Sequence, residues 1–277
     1  MKRLLNIFLA VVFVVSCAFG LTACANPDDG GDKKEGVLIK KEGGVYVIYD
    51  YVDDGKSTDV ELNLGDVLKV KKITGEIKIK SGAFDGADNI TKLIVPNTVV
   101  EIQEGAFRKM SNLRVLQVPF VGLNAKADAQ FEQTDAIEGK AVNNQRTFAH
   151  FFGTEQYDGG STLTNEFGTV YIPHTLTTVI VDATDVDYTV EGVKSGYAIP
   201  MGAFEGATTL QNVELKGANL KEIGVKAFKG CTALTKITIP TSIVKVYDYA
   251  FMDCINLEKP NIPADKQGLD IFKGCDK

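Results

Sequence analysis

Apolar residues recur along most of the chain in one order and at one spacing. The pair Ala-Phe marks the phase, at Ala83-Phe84, Ala106-Phe107, Ala203-Phe204, Ala227-Phe228 and Ala250-Phe251. Adjacent copies lie 23, 24 and 23 residues apart, and Ile271-Phe272 continues the row. Four residues before each Ala stand Ile79, Ile102, Ile199, Ile223 and Val246. Three after each Phe stand Ala87, Met110, Ala207, Cys231, Cys254 and Cys275, and six after stand Ile90, Leu113, Leu210, Leu234 and Leu257. From that last position the chain reads apolar, two others, apolar, one other, apolar, and often Pro, as in Leu113-x-x-Leu116-x-Val118-Pro119 and Leu234-x-x-Ile237-x-Ile239-Pro240. The apolar–x–apolar step predicts a strand with alternate residues facing in. Pro closes it because it has no N–H to donate. A second apolar pair, such as Ile243-x-x-Val246, predicts the return side of each coil. One coil buries little, but stacked coils share a continuous core.

The pattern weakens in two places. Residues 37–72 precede the first clear repeat. There Val45–Tyr51 reads as a strand and Asp53-Asp54-Gly55 as a turn, so a β-hairpin capping the first coil is expected over 37–72. Between Phe107 and Phe204 the phase returns at Phe167-x-x-Val170-x-Ile172-Pro173 and again at Leu176-x-x-Val179-x-Val181. Residues 121–164 do not fit. They carry a polar stretch and then Phe148-Ala149-His150-Phe151-Phe152-Gly153. Two readings stand: a degenerate coil that packs as its neighbours do, or a raised loop, with His150, Phe151, Phe152 and Tyr157 as its recognition residues. The last coil, after Ile262-Pro263, is short; it caps the stack weakly or meets another chain.

The repeat residues resemble the BspA-like leucine-rich repeats of bacterial surface proteins. Their unit of about 23 residues reads Ile-Pro, a Val-x-x-Ile step, Ala-Phe, a small residue or Cys, and Leu. The resemblance covers residues 73–120 and 165–277. It implies a right-handed leucine-rich-repeat solenoid over 73–277, strand-rich with little helix, one strand per coil lining a concave face. It also implies a protein-binding or adhesion role, with a host matrix or envelope protein as partner.

The N-terminus bears on compartment. Met1-Lys2-Arg3 is basic, Leu4–Gly20 is almost wholly apolar, and Leu21-Thr22-Ala23-Cys24 follows. This order fits an export signal over 1–23, itself a helix. The last four residues resemble the bacterial lipobox, which implies a diacylglycerol on Cys24, the thiol acting as the nucleophile. An uncleaved membrane-spanning helix is the alternative. Either places the remainder outside the cytoplasm, because the basic start stays inside. Residues 24–36 are rich in Gly, Asp and Lys and read as a flexible tether. The formal net charge of -6 argues against nucleic acid and against adsorption to anionic lipid. The lipid is then the membrane contact.

Chemistry-bearing residues are few. His150 and His174 are the two histidines. His150 lies among aromatics and reads as packed, and His174 as an exposed turn residue. Ser161 has no evident base. No phosphate-binding Gly loop or metal-ligand spacing occurs, so neither enzyme activity, a cofactor nor a metal is expected. Asp182, Asp185 and Asp187 alternate and read as a solvated loop rather than a calcium site. Cys231, Cys254 and Cys275 share one repeat position; they read as a buried column of small side chains, with a disulfide as the alternative. What remains is the outward face of the strands. Its candidate binding residues are Lys92, Asn212, Lys236 and Lys259 in one row, and Gln117, Glu214, Thr238 and Asn261 in the next. The competing reading is a structural or self-assembling envelope spacer with no dedicated ligand.

Overall fold

The computed structural model describes residues 35–125, 144–165, 168–186, 189–190, 193–194 and 196–277. The export signal, its helix, Cys24 and most of the tether lie outside the described residues, as do residues 126–143 and Asp187.

The chain opens with β1 (Gly36–Glu42) and β2 (Val45–Val52), then β3 (Val60–Asn63) and α1 (Leu64–Val70). Next come β4 (Ile77–Ile79), β5 (Ile90–Ile94), β6 (Val99–Ile102) and β7 (Val115–Val118). Two 3-10 turns, Asn144–Arg146 and Phe148–Phe151, lead to β8 (Gly160–Asn165) and β9 (Gly168–Pro173). There follow β10 (Thr178–Asp182), β11 (Thr189–Val190), β12 (Val193–Lys194), β13 (Tyr197–Ile199), β14 (Asn212–Lys216), β15 (Leu220–Ile223), β16 (Lys236–Thr238) and β17 (Lys245–Val246).

Each coil has three sides. On the first, β3, β5, β7, β10, β14 and β16 pair in parallel as one six-stranded sheet, in chain order. On the second, β2, β4 and β6 form one parallel run and β13, β15 and β17 another. The Ala-Phe turns make the third. There the backbone N–H of Phe84, Phe204, Phe228 and Phe251 donates to the carbonyl of the next coil's Ala106, Ala227, Ala250 and Ile271. These turns stay tight because two positions in each adopt a left-handed backbone. Gly202 and Gly206 do so in one coil, and Lys226 and Gly230 in the next.

Inside, Leu93, Leu116, Val179, Val213 and Ile237 form one buried row. The rings of Phe84, Phe107, Phe151, Phe148, Phe204, Phe228, Phe251 and Phe272 follow one another at 4.9–5.9 Å between centroids. The thiols of Cys231, Cys254 and Cys275 are free and donate to the carbonyls of Phe204, Phe228 and Phe251 at 3.0–3.1 Å. The column of small side chains is therefore what the shared position forms. Burial pushes the Cys231 and Cys275 thiols up from their ordinary pKa, which keeps them protonated.

At the N-terminal end β1 and β2 form an antiparallel hairpin through Gly43 and Gly44, both at positive φ. Pairing starts at Gly36, and β2 then leads the second side by pairing with β4. Helix α1 is brief. Asn63 Oδ1 accepts from Gly65 N at 2.9 Å, and Leu64 and Leu68 point inward four residues apart.

Three expectations are corrected. Phe167 lies outside the described residues, and the rest of that stretch, β9, supplies no ladder strand: it pairs antiparallel with β8, and β7 pairs directly with β10. An apolar–x–apolar step has the same period in either direction of pairing, and here Asn165 pairs with Gly168 and Thr164 with Thr169. Next, Lys259 and Asn261 are exposed but belong to no strand. Glu258 N reaches Thr235 O at 3.0 Å, and Pro260 and Pro263 then remove the donors a strand would need. Last, the raised loop does not hold for the aromatic stretch: Phe148, His150, Phe151 and Phe152 are all buried.

Candidate binding face

The outward positions of the six-stranded sheet align by register. One row runs Glu61, Lys92, Val115, Thr178, Asn212, Lys236. The next runs Asn63, Ile94, Gln117, Ile180, Glu214, Thr238. Six of the eight residues expected on this face lie there: Lys92, Gln117, Asn212, Glu214, Lys236 and Thr238. Thr178 and Ile180 complete the rows. Their strand was visible as Leu176-x-x-Val179-x-Val181, but the long gap before it hid which coil it followed.

Alternation explains the arrangement. Residues between the buried positions of each strand must point out of the sheet. Their chemistry varies along the stack. Ile94, Val115 and Ile180 put partly exposed aliphatic surface in the middle. Lys92 Nζ meets Glu61 Oε2 at 3.0 Å at the N-terminal end, and Glu214 meets Lys216 at 3.2 Å toward the other. Gln117 Nε2 donates to Asp182 Oδ2 at 3.3 Å, and Asp182 Oδ1 accepts from Thr184 Oγ1 at 2.6 Å. The face thus has an aliphatic centre and polar ends.

The 144–157 stretch packs as one more coil. Gly105 N donates to His150 O and Phe107 N to Phe151 O, while Phe148 N donates to Ala203 O at 2.7 Å. The first two are bonds that an ordinary Ala-Phe turn accepts; the third leaves from Phe148, three residues before the accepting Phe151, where an ordinary turn donates from the Phe directly after the accepting Ala. His150 Nε2 sits 2.9 Å from Ile102 O, its Nδ1 is buried, and burial lowers its pKa. The ring is a neutral core group whose Nε2–H donates to that carbonyl. Tyr157 is half-buried and lines a cavity of about 220 Å3 with Arg108, Phe152 and Glu155. Arg108 Nη2 binds Asp85 Oδ2 at 2.8 Å, and Lys109 binds Glu155 at 2.8 Å. Burial pushes the Tyr157 hydroxyl up, so it stays protonated. His174 is exposed, its Nδ1 2.7 Å from Gly159 O. Among the described residues no group of three or more His, Cys, Asp or Glu is placed to hold a metal, and no helix is long and apolar enough to cross a membrane.

The pattern of the BspA type leucine rich repeat region matches residues 71–150 and 194–277, in six copies. The chain belongs to this family. No curated protein matches it. Among solved structures it is similar to a leucine rich repeat protein of Treponema pallidum, at 23% identity and a TM-score of 0.29. That match covers 42% of this chain and 54% of the other, so the chain spans about half the length of that relative. A leucine-rich repeat protein of Bacteroides ovatus is 15% identical over 88% of this chain and 92% of its own, with a TM-score of 0.24. A leucine rich cell surface protein of Faecalibacterium prausnitzii is 15% identical over 88% and 80%, with a TM-score of 0.27. Family membership places the strand ladder and Ala-Phe turns of this chain in the BspA type leucine rich repeat architecture.

Proposed function

We propose that this chain is a protein-binding module held outside the cytoplasm, at the cell surface, by a lipid on Cys24, and that it adheres to its partner through the six-stranded face. The observation that carries this reading is the aligned pair of outward rows. The aliphatic centre Ile94, Val115 and Ile180 lies within polar ends on a rigid parallel sheet, so a partner meets a preformed surface and little ordering is required on docking. Solenoids commonly use such extended faces for protein contacts. The Lys2-Arg3 start and the Leu21–Cys24 motif support export and lipid attachment.

The test is capture of host matrix and envelope proteins by the immobilised chain, in parallel with Ile180→Asp. The expected result is a saturable partner whose capture falls at least about tenfold in the variant, since a buried charge in a contact centre costs more than about 1.4 kcal/mol. No saturable partner, together with concentration-dependent self-association, would replace this reading with that of a self-assembling spacer. Labelling of cells with a lipid precursor, with Cys24→Ala alongside, tests the anchor: label retained by the variant refutes it.

A further inference from the structure

The column of free thiols is uneven. Cys231 and Cys254 are 1% and 0% exposed, whereas Cys275 is only partly buried. Solvent therefore reaches the column at Cys275 and at neither of the others.

Cys254 and Cys275 stand at equivalent places in adjoining coils. Phe251 N donates to Ile271 O at 2.9 Å and Asp253 N to Lys273 O at 2.8 Å, so the two backbones run paired toward the cysteines. A Cβ at Gly274 would lie 3.4 Å from Asp253 Cα, which sets the residues just before the two cysteines side by side. Phe251 O then accepts from Cys254 N at 3.2 Å and from Cys275 Sγ at 3.0 Å. The Cys275 thiol thus rests against the Cys254 backbone. Coils bonded in this way stack about 4.8 Å apart, inside the span of roughly 4.4–6.8 Å between Cα atoms that a disulfide bridges.

Joining the two sulfurs costs the column little. Phe228 O and Phe251 O lose the thiol donors of Cys254 and Cys275, but they keep Cys231 N and Cys254 N, each at 3.2 Å. No buried carbonyl is left bare. Cys275 is also the thiol that an oxidant meets first. Burial raises its pKa, while the Cys254 N–H and the Lys259 charge favour its thiolate.

We propose that Cys254 and Cys275 are a redox site, closed by disulfide exchange into a staple across the coil between them. The structure holds its reduced form. The oxidant is a disulfide, carried by a small thiol or by an exported thiol oxidase. The Cys275 thiolate attacks one sulfur of that disulfide. The oxidant's S–S bond breaks, and its other sulfur leaves as a thiolate and takes up a proton. Cys254 then gives up its proton and attacks Cys275 Sγ, forming the Cys254–Cys275 bond and expelling the oxidant's second sulfur as a thiol. Two protein thiols are oxidised and one disulfide is reduced to two thiols. In the cell the step rests on the export reading, because the cytoplasm keeps thiols reduced. Cys275 follows Cys254 by 21 residues, and closing a loop of that size disfavours the detached coil on the order of a hundredfold.

The probe is oxidised glutathione, incubated with the purified full chain at about pH 8, then N-ethylmaleimide and peptide mass mapping. The expected product is a Cys254–Cys275 linked peptide, two hydrogens lighter than the separate thiol peptides, with Cys231 still free. Hydrogen exchange at the Phe251 and Asp253 amides is expected to slow by at least about tenfold in the linked form, and dithiothreitol to reverse it. Cys254→Ala is expected to stop at a glutathione mixed disulfide on Cys275, and Cys231→Ala to link as the native chain does. Ala fills this position at Ala87 and Ala207, so both variants keep the coil. A lasting mixed disulfide on Cys275 in the native chain, a Cys231–Cys254 link in its place, or unchanged exchange in the linked form overturns the proposal. Recovery of the chain in the cytoplasmic fraction of its own cells overturns the export reading alone, since the glutathione result is read on purified chain.

Discussion

Phe148→Ala tests whether the irregular coil is a working part of the stack. Phe148 is fully buried, and its ring centroid lies 5.1 Å from Phe204, 5.2 Å from Phe152 and 5.9 Å from Phe151. It is thus the ring that joins the N-terminal aromatic run to the C-terminal one. Truncation removes roughly 150 Å2 of buried apolar surface, worth about 4 kcal/mol at 25 cal/mol per Å2. Measured Phe-to-Ala substitutions in cores fall at about 3–5 kcal/mol, because the cavity left behind collapses only in part. For a domain of this size that lowers the thermal midpoint by roughly 8–16 °C. The assay is urea and thermal unfolding followed by circular dichroism, with Tyr49→Ala, at a 38% exposed position of the hairpin, as control. The control is expected to cost less than about 1 kcal/mol. A Phe148→Ala loss below about 1 kcal/mol would refute the claim that this coil carries core packing. The variant is also expected to separate one unfolding transition into two, since coils are coupled only through their neighbours.

Other outcomes follow from the same geometry. Gly206→Ala is expected to destabilise by about 2 kcal/mol or more, read by urea midpoint, because Gly206 has a φ of 76° and an added Cβ would lie 2.5 Å from Thr164 O. Lys226→Gly is expected to be neutral or to stabilise by up to about 1 kcal/mol, since Lys226 holds a left-handed φ of 54°. His150 is lowered in the folded state by burial, against its hydrogen bond to Ile102 O and the nearby Glu104 charge. The unfolded chain therefore binds the proton more readily, so the stability tied to the neutral ring is present above about pH 6.5 and is lost as pH falls toward its lowered value. His150→Gln is expected to flatten that part of a midpoint-against-pH curve, and an unchanged slope would refute it. Thiol labelling with mass-spectrometric mapping is expected to modify partly exposed Cys275 first, and buried Cys231 and Cys254 only at the rate of unfolding.

Periodicity made the regular coils legible and failed where period alone does not decide. Leu93, Leu116, Val213 and Ile237 sit in one buried row as the apolar–x–apolar step requires. The same step at Val170 and Ile172 is equally apolar yet lies in an antiparallel hairpin, because strand direction leaves no mark on the period. Ile180 was missed for a related reason: its row neighbour Gln117 lies 63 residues away, so no local spacing could align them. The Phe148–Phe152 stretch was legible as aromatic but not as a substitute Ala-Phe turn. Its bonds to Gly105, Phe107 and Ala203 are made by backbone, which the side-chain pattern does not record.

The direct pairing of β7 with β10 lets the chain leave one strand of the ladder and re-enter at the neighbouring one. A change of length between Val118 and Thr178 that keeps the substitute turn at 147–152 and the buried Phe120, Val121, Leu163, Val170, Ile172 and Leu176 leaves the register of the other strands where it was. The entropy of closing such an excursion rises only with the logarithm of its length, by about 0.6 kcal/mol for each doubling. The chain between β7 and β10 can thus differ in length while the ladder on either side stays under strict geometric constraint. Relatives are expected to differ most in length between β7 and β10.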